Sequence, residues 1–200
     1  VMDNKFLESK VLHFKDLFPL DILRLIEEFA RESRVPYELK RELKSKIVER
    51  YGFKKLYFIG YRDFSHIDLI GKYIKDVCLW KCNFESSNFA HTTFSGVELT
   101  ECNFRDTILS DIYFRNCTLM SSKFIDSNMY HSIIRNCHAY NAVFVSCNIN
   151  KATIKNSMFQ NAIITYSRLK DTIFSGCDIR GVEFFGCNTE DALFTNVHEF

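Results

Sequence analysis

The stretch FRDTILSDIYFRNCTL, residues 104–119, places a large apolar residue at Phe104, Leu109, Phe114 and Leu119. That step of five matches neither the 3.6-residue repeat of a helix face nor the two-residue repeat of a strand face. Followed in both directions, the same phase runs from Leu79 to Phe194 without an insertion: 24 centres, of which 22 are Phe, Leu, Ile or Met. The residue two before each centre is Cys, Ser, Thr, Ala or Val throughout, Ile112 excepted, and never charged. In an extended segment residues two apart share a face, so each five-residue unit sends one small and one large side chain inward. Two residues after the centre stand mostly Asn, Asp, Gly or Ser, as at Asp106, Asn116, Asn136, Gly176 and Gly181. These tolerate tight or left-handed backbone, which makes this position the corner.

Short straight pieces joined by corners every five residues coil into a solenoid with flat sides. CNFES (82–86), SNFAH (87–91), CNFRD (102–106) and SGCDIRG (175–181) carry a pattern of small, polar, Leu or Phe, polar, polar. Over roughly residues 77–197 the chain therefore resembles the pentapeptide-repeat family. The resemblance implies a mainly β fold, a right-handed quadrilateral β-helix with four units per 20-residue coil, about six to seven coils in all.

A 20-residue period can be tested within the sequence. One side stacks Phe84, Phe104, Phe124, Phe144, Ile164 and Phe184, and the opposite side Phe94, Phe114, Ile134, Ile154, Phe174 and Phe194. Bulk segregates by side, which a period of five alone does not require. The phase extends upstream through Ile59, Phe64, Leu69 and Ile74, but its paired inward positions there are Tyr57, Arg62, Ile67 and Lys72. Because Arg and Lys resist burial, we expect residues 57–76 to form an irregular first coil of a domain spanning 57–200.

Residues 1–56 form a different region, read as a small N-terminal α-helical module. DLFPLDILRLIEEFARES (16–33) sets Ile22, Leu25, Ile26 and Phe29 on one stripe, Pro36 interrupts, and YELKRELKSKIVERYG (37–52) makes a charged helix ending at Gly52. Such a module caps the open end of a β-helix, which is otherwise an edge for strand pairing. A second reading starts from LFPLDILRLIEEFA (17–30), which resembles the opening of an F-box at Pro19, Asp21, Ile22, Leu23, Ile26 and Phe29. That resemblance implies docking on a cullin-ligase adaptor. Both readings stay open at this stage.

Seven of the eight cysteines (82, 102, 117, 137, 147, 177 and 187) occupy the small inward position, and Cys78 alone is off it. No CxxC occurs and the spacings follow the coil, so we read buried free thiols rather than a metal site or disulfides. Reduced thiols, the absence of a signal-peptide core in VMDNKFLESK and the absence of an apolar run of about 18 residues point to a cytoplasmic chain without a membrane span. Lys plus Arg number 26 and Asp plus Glu 25, a balance that recruits neither nucleic acid nor an anionic membrane.

No Gly-rich phosphate loop, HExxH, GxSxG or EF-hand loop occurs. His91, His131 and His138 fall at outward positions that we place on different sides of the coil. The expectation is a non-enzymatic chain without a cofactor, whose function lies on its outer surface and whose partners are proteins. Outward apolar residues gather in three groups: Ile125, Val143, Val145, Ile163 and Phe185; Tyr113, Ile133, Ile173 and Leu193 beside Arg115, Arg135 and Lys155; and Met120, Tyr140 and Met158 around His138. Such clusters mark contact surfaces.

The leading reading is a protein-interaction scaffold, with effectors delivered into a host cytosol among its pentapeptide-repeat counterparts. The alternative implied by the resemblance is a DNA-mimicking inhibitor or protector of gyrase. That role needs an acidic rod, whereas residues 77–200 carry 10 basic and 12 acidic residues, with basic outward positions at Arg105, Arg115, Arg135, Lys155 and Arg180. The sequence ends in repeat phase at Val197–Phe200, so a homodimer stacked through the last coil is a further expectation.

Overall fold

The computed structural model describes Ser45 and residues 62–199. The N-terminal module, including Pro19, Asp21, Ile22, Leu23, Ile26 and Phe29, lies outside the described residues apart from Ser45.

From Phe64 to Ile179 every centre is buried, and each corner turns left-handed. Positive φ recurs at every fifth residue from His66 to Asn196, in 22 non-glycine residues and in Gly71, Gly96, Gly176, Gly181 and Gly186. A left-handed L-residue costs about 1–2 kcal/mol, least for Asn and Asp, which explains why those two are common at the corner. The cost is met by the ladder: between corners each unit hydrogen-bonds to the units one coil away, as in Asn103 N–H to Cys82 O (3.0 Å) and Phe104 N–H to Lys123 O (2.7 Å).

The coil has four sides. On one side β1 (Tyr73–Lys75), β2 (Thr93–Ser95), β3 (Tyr113–Arg115), β5 (Ile133–Arg135), β7 (Thr153–Lys155), β9 (Ile173–Ser175) and β11 (Leu193–Thr195) form a seven-stranded parallel sheet. On the opposite side β4 (Lys123–Ile125), β6 (Val143–Val145), β8 (Ile163–Thr165) and β10 (Glu183–Phe185) form a four-stranded parallel sheet. Single parallel bridges such as Asn88↔Ile108 and Thr118↔His138 stitch the remaining two sides. Every pairing joins residues 20 apart, so seven levels are related by six 20-residue steps.

Equivalent residues stack. Phe104, Phe124 and Phe144 lie ring on ring, at 4.9 and 4.7 Å with interplanar angles of 2°. On the opposite side Phe94 stacks on Phe114 at 5.4 Å and Phe174 on Phe194 at 4.9 Å. The small inward residues do more than leave room. Their hydroxyls and thiols donate to the carbonyl of the centre 23 residues earlier: Thr92 to Leu69 O (2.6 Å), Cys147 to Phe124 O (2.9 Å), Thr172 to Ile149 O (2.8 Å). Ser, Thr and Cys are thus interchangeable here both as small volumes and as donors.

The expected irregularity of residues 57–76 is not seen over its described part. Tyr73–Lys75 pairs in register with Thr93–Ser95, the corners at His66, Gly71 and Asp76 are left-handed, and Phe64, Ile67, Leu69 and Ile74 are buried. Lys72 holds the position that Thr92 buries one coil on, yet stays exposed, so the coil keeps its register without burying the charge. Ser45 reaches this first level: its hydroxyl accepts a hydrogen bond from Asp68 N–H at 2.8 Å.

Candidate functional site

With the interior filled by its own side chains, chemistry is left to the outward residues, two per straight segment plus the corner. The four-stranded sheet brings the first predicted group together in two columns. Val143 lies opposite Ile163, and Ile125, Val145, Thr165 and Phe185 follow one another in register. Thr165 interrupts the apolar column. Ile125, Val143 and Val145 are half-buried, while Phe185 is 65 % exposed. Sequence reasoning missed Tyr166, a corner residue whose ring meets Phe185 edge-on at 5.5 Å and 89°. Gly186 allows it, because a Cβ there would come within 2.8 Å of the Tyr166 ring. The 20-residue period was the available signal: Tyr166 lies directly below Gly186.

The seven-stranded sheet assembles the second group. Tyr113, Ile133, Thr153, Ile173 and Leu193 form one column, and Arg115, Arg135 and Lys155 form the next. All three cations are exposed. Elsewhere the solenoid sets opposite charges on neighbouring coils: Lys81 with Glu101 (3.3 Å), Arg105 with Asp126 (3.3 Å), Lys170 with Glu190 (3.1 Å). Among the described residues no carboxylate pairs with Arg115, Arg135 or Lys155. The adjoining corners are neutral, Asn116, Asn136 and Asn156, and Asn136 Nδ2–H donates a hydrogen bond to Asn116 Oδ1 at 3.2 Å. This row stands in a segment, residues 62–199, with 13 Lys and Arg against 15 Asp and Glu, a net charge of −2.

On the third group Tyr140 O–H donates to Met158 Sδ at 2.6 Å and its ring meets His138 at 6.0 Å, with Met120 exposed nearby. The histidine placement needs one correction. His91 and His131 share a corner column, because they are two coils apart, and Asp111 stands between them. Asp111 lies 2.6 Å from His131 Nδ1 and 3.8 Å from His91 Nδ1. His138 sits around the next corner, on a different side.

The thiols offer no exposed nucleophile in the core. Burial pushes Cys82 and Cys147 up to about 12 and raises Cys102 further. A hydrogen bond that the Cys137 thiol donates to the Cys117 sulfur, with burial, pushes Cys137 up. Among the described residues all eight cysteines are free, no three His, Cys, Asp or Glu side chains are placed to share a metal ion, and no helix is long and apolar enough to cross a membrane.

Residues 65–144 match the family model described as the SV2A/B/C luminal domain. No curated protein matches the chain. Similar solved structures include trypsin-treated QnrB1, a plasmid-mediated fluoroquinolone resistance protein, at 21% identity over 66% of this chain and 76% of that one, with a TM-score of 0.37. Full-length QnrB1 is similar at 17% identity over 64% and 91%, TM-score 0.36. HetL, a pentapeptide repeat protein involved in heterocyst differentiation regulation from the cyanobacterium Nostoc, is similar at 13% identity over 73% and 92%, TM-score 0.24.

Proposed function

We propose that this pentapeptide-repeat solenoid is a non-catalytic interaction rod that binds protein partners through side-chain columns on its two sheet faces. The observation that carries the reading is the row Arg115, Arg135 and Lys155, without carboxylate partners among the described residues, beside the apolar column of Tyr113 and Ile133, on a fold that pairs several other cations across neighbouring coils. Arg and Tyr are the residue types that dominate binding energy at protein interfaces. The exposed Phe185, Tyr166 and Ile163 on the opposite face supply a second contact area. Mimicry of duplex DNA is disfavoured by the same row, since a DNA-like rod presents repeated negative charge and this face presents positive.

The test is a comparison of folded variants of the full chain, Arg135→Glu on one face and Ile163→Asp with Phe185→Asp on the other. Cross-linking and mass spectrometry from cytosol would report partner retention, and light scattering the oligomeric state. Loss of a partner, or of an oligomer, in one variant with an unchanged circular dichroism spectrum supports the reading. If both variants keep every interaction and assembly state of the parent, neither face is a contact surface.

A further inference from the structure

We infer that the face bearing Arg115, Arg135 and Lys155 receives one acidic, amphipathic α-helix of a partner protein, lying lengthwise along the solenoid axis; this rests on the interaction reading above and names its partner class. The three cations are in register on successive coils, so their Cα atoms rise in steps of about 4.8 Å. They lack carboxylate partners among the described residues, and their corner neighbours are neutral asparagines. Adjacent like charges repel, and a row of anions with a matching step relieves all three at once.

The step selects the partner's backbone. An α-helix advances about 5.4 Å per turn, so carboxylates placed once per turn drift only about 0.6 Å per coil against the cation row. The long Arg and Lys arms absorb that drift over three coils. An extended strand spaces same-face side chains about 6.8 Å apart and drifts about 2 Å per coil, which loses register by the third cation. The second column fixes the helix's other face. Tyr113 and Ile133 stand two residues from Arg115 and Arg135 along the strands, about 6.6 Å away, and a helix about 10 Å across covers both columns. The partner helix therefore carries a Glu or Asp stripe and, beside it, an apolar stripe.

The probe is a synthetic fluorescent peptide of about five helical turns, with Glu once per turn and Leu on the adjoining stripe. Its binding to the full chain is followed by anisotropy, beside a same-composition peptide with the stripes scrambled and a duplex oligonucleotide. The expected result is saturable binding of the striped peptide alone, weakened by salt and weakened about tenfold or more by Arg135→Glu. A peptide with Lys in place of Glu should prefer the Arg115→Glu/Arg135→Glu/Lys155→Glu variant over the parent. Equal binding of the scrambled peptide or the oligonucleotide overturns the inference, since the row would then be a general anion binder. Absence of peptide binding overturns it too. If that absence accompanies loss of a partner or an oligomer in either the Arg135→Glu or the Ile163→Asp/Phe185→Asp variant, the helix inference falls and the interaction reading stands; if neither variant loses one, both fall.

Discussion

Replacing Phe124 by Ala should break the solenoid's stability in mid-column, and the size of the effect follows from the ring stack. Phe124 is fully buried, sandwiched at 4.9 Å against Phe104 and 4.7 Å against Phe144, with the edge of Phe114 at 6.4 Å. Phe→Ala in a core costs about 3–5 kcal/mol in transfer and cavity energy, and aromatic pairs add about 0.5–1.5 kcal/mol each. Two overlapping stacks put this site at the upper end, about 5 kcal/mol. Phe184 is the control, the same residue on the same side three coils on. It is only partly buried, stands over Ile164 rather than a ring, and meets Phe174 and Phe194 edge-on at 6.1 and 5.7 Å. Its truncation should cost about 2 kcal/mol. With a urea slope of about 2 kcal/mol/M, the midpoint falls by about 2.5 M for Phe124→Ala and about 1 M for Phe184→Ala. Phe124→Leu, which restores most of the volume but not the stack, should fall between the wild type and Phe124→Ala. Equal midpoints for the two alanine variants would refute the reasoning, because they would show that the column refills and that position within it does not matter.

At the corner Gly176, where φ is +63° and an added Cβ would come within 2.6 Å of Asn156 Oδ1, Gly176→Ala should cost about 1–2 kcal/mol by thermal unfolding. Removing the hydroxyl in Thr92→Val leaves the Leu69 carbonyl with only the 3.2 Å bond from Lys72 N–H, and should cost about 1 kcal/mol by urea titration. Alkali should destabilise the fold through its thiols. Cys82 and Cys147 are held up to about 12 by burial, whereas unfolded thiols ionise near pH 8.5, so the folded state binds more protons above that value. The thiols' contribution to stability should be flat below about pH 8.5 and fall towards pH 12, by about 1.4 kcal/mol per pH unit per thiol. Cys147→Ser, which copies Ser127 and Ser167 one coil either side, should remove one thiol's share of that slope; an unchanged slope would count against it. Iodoacetamide at pH 8.5 should label the half-buried Cys78 and Cys187 ahead of Cys82 and Cys147, with peptide mass spectrometry as the readout.

The residues that build the coil were legible because each rule involved acts within one unit. A bulky centre, a small residue two before it and a corner two after it can be read off five letters, and Phe104 to Leu119 already show all three. What escaped depends on contacts between coils. The donors that Thr92 and Cys147 send to Leu69 and Phe124 span 23 residues, so in sequence these positions look merely small. The corner at 166 was read only for backbone tolerance, which hid the Tyr166–Phe185 ring contact. His91 and His131 were separated although 40 residues are two full coils, and Asp111 midway between them completes the column. Lys72 made the first coil look broken because an inward position was assumed to force burial; at this level the side chain remains exposed while its strand pairs normally.

Those same inter-coil contacts decide where a partner can bind. A parallel ladder places each outward residue against its equivalent 20 residues away, so any repeated charge becomes a row of like charges about 4.8 Å apart. Across water such a pair repels by about 0.9 kcal/mol, a modest but avoidable cost. The chain avoids it at Lys81 and Glu101 and at Lys170 and Glu190, by alternating sign from coil to coil, and offsets it at Asp106 and Asp126 by setting Arg105 against both. It keeps the cost at Arg115, Arg135 and Lys155, where it also keeps Tyr113 and Ile133 outward in the next column. Like charges also stack at the corners Asp106 and Asp126, which share Arg105, and at Asp171 and Asp191, but the row on β3, β5 and β7 runs over three coils with apolar area beside it, and a ligand that supplies the missing anions accounts for it. That is why the face of β3, β5 and β7 ranks ahead of the apolar columns of β4, β6 and β8. There the half-buried Val143 and Val145 satisfy a strand's ordinary preference for branched side chains, and no unpaired charge row demands a partner.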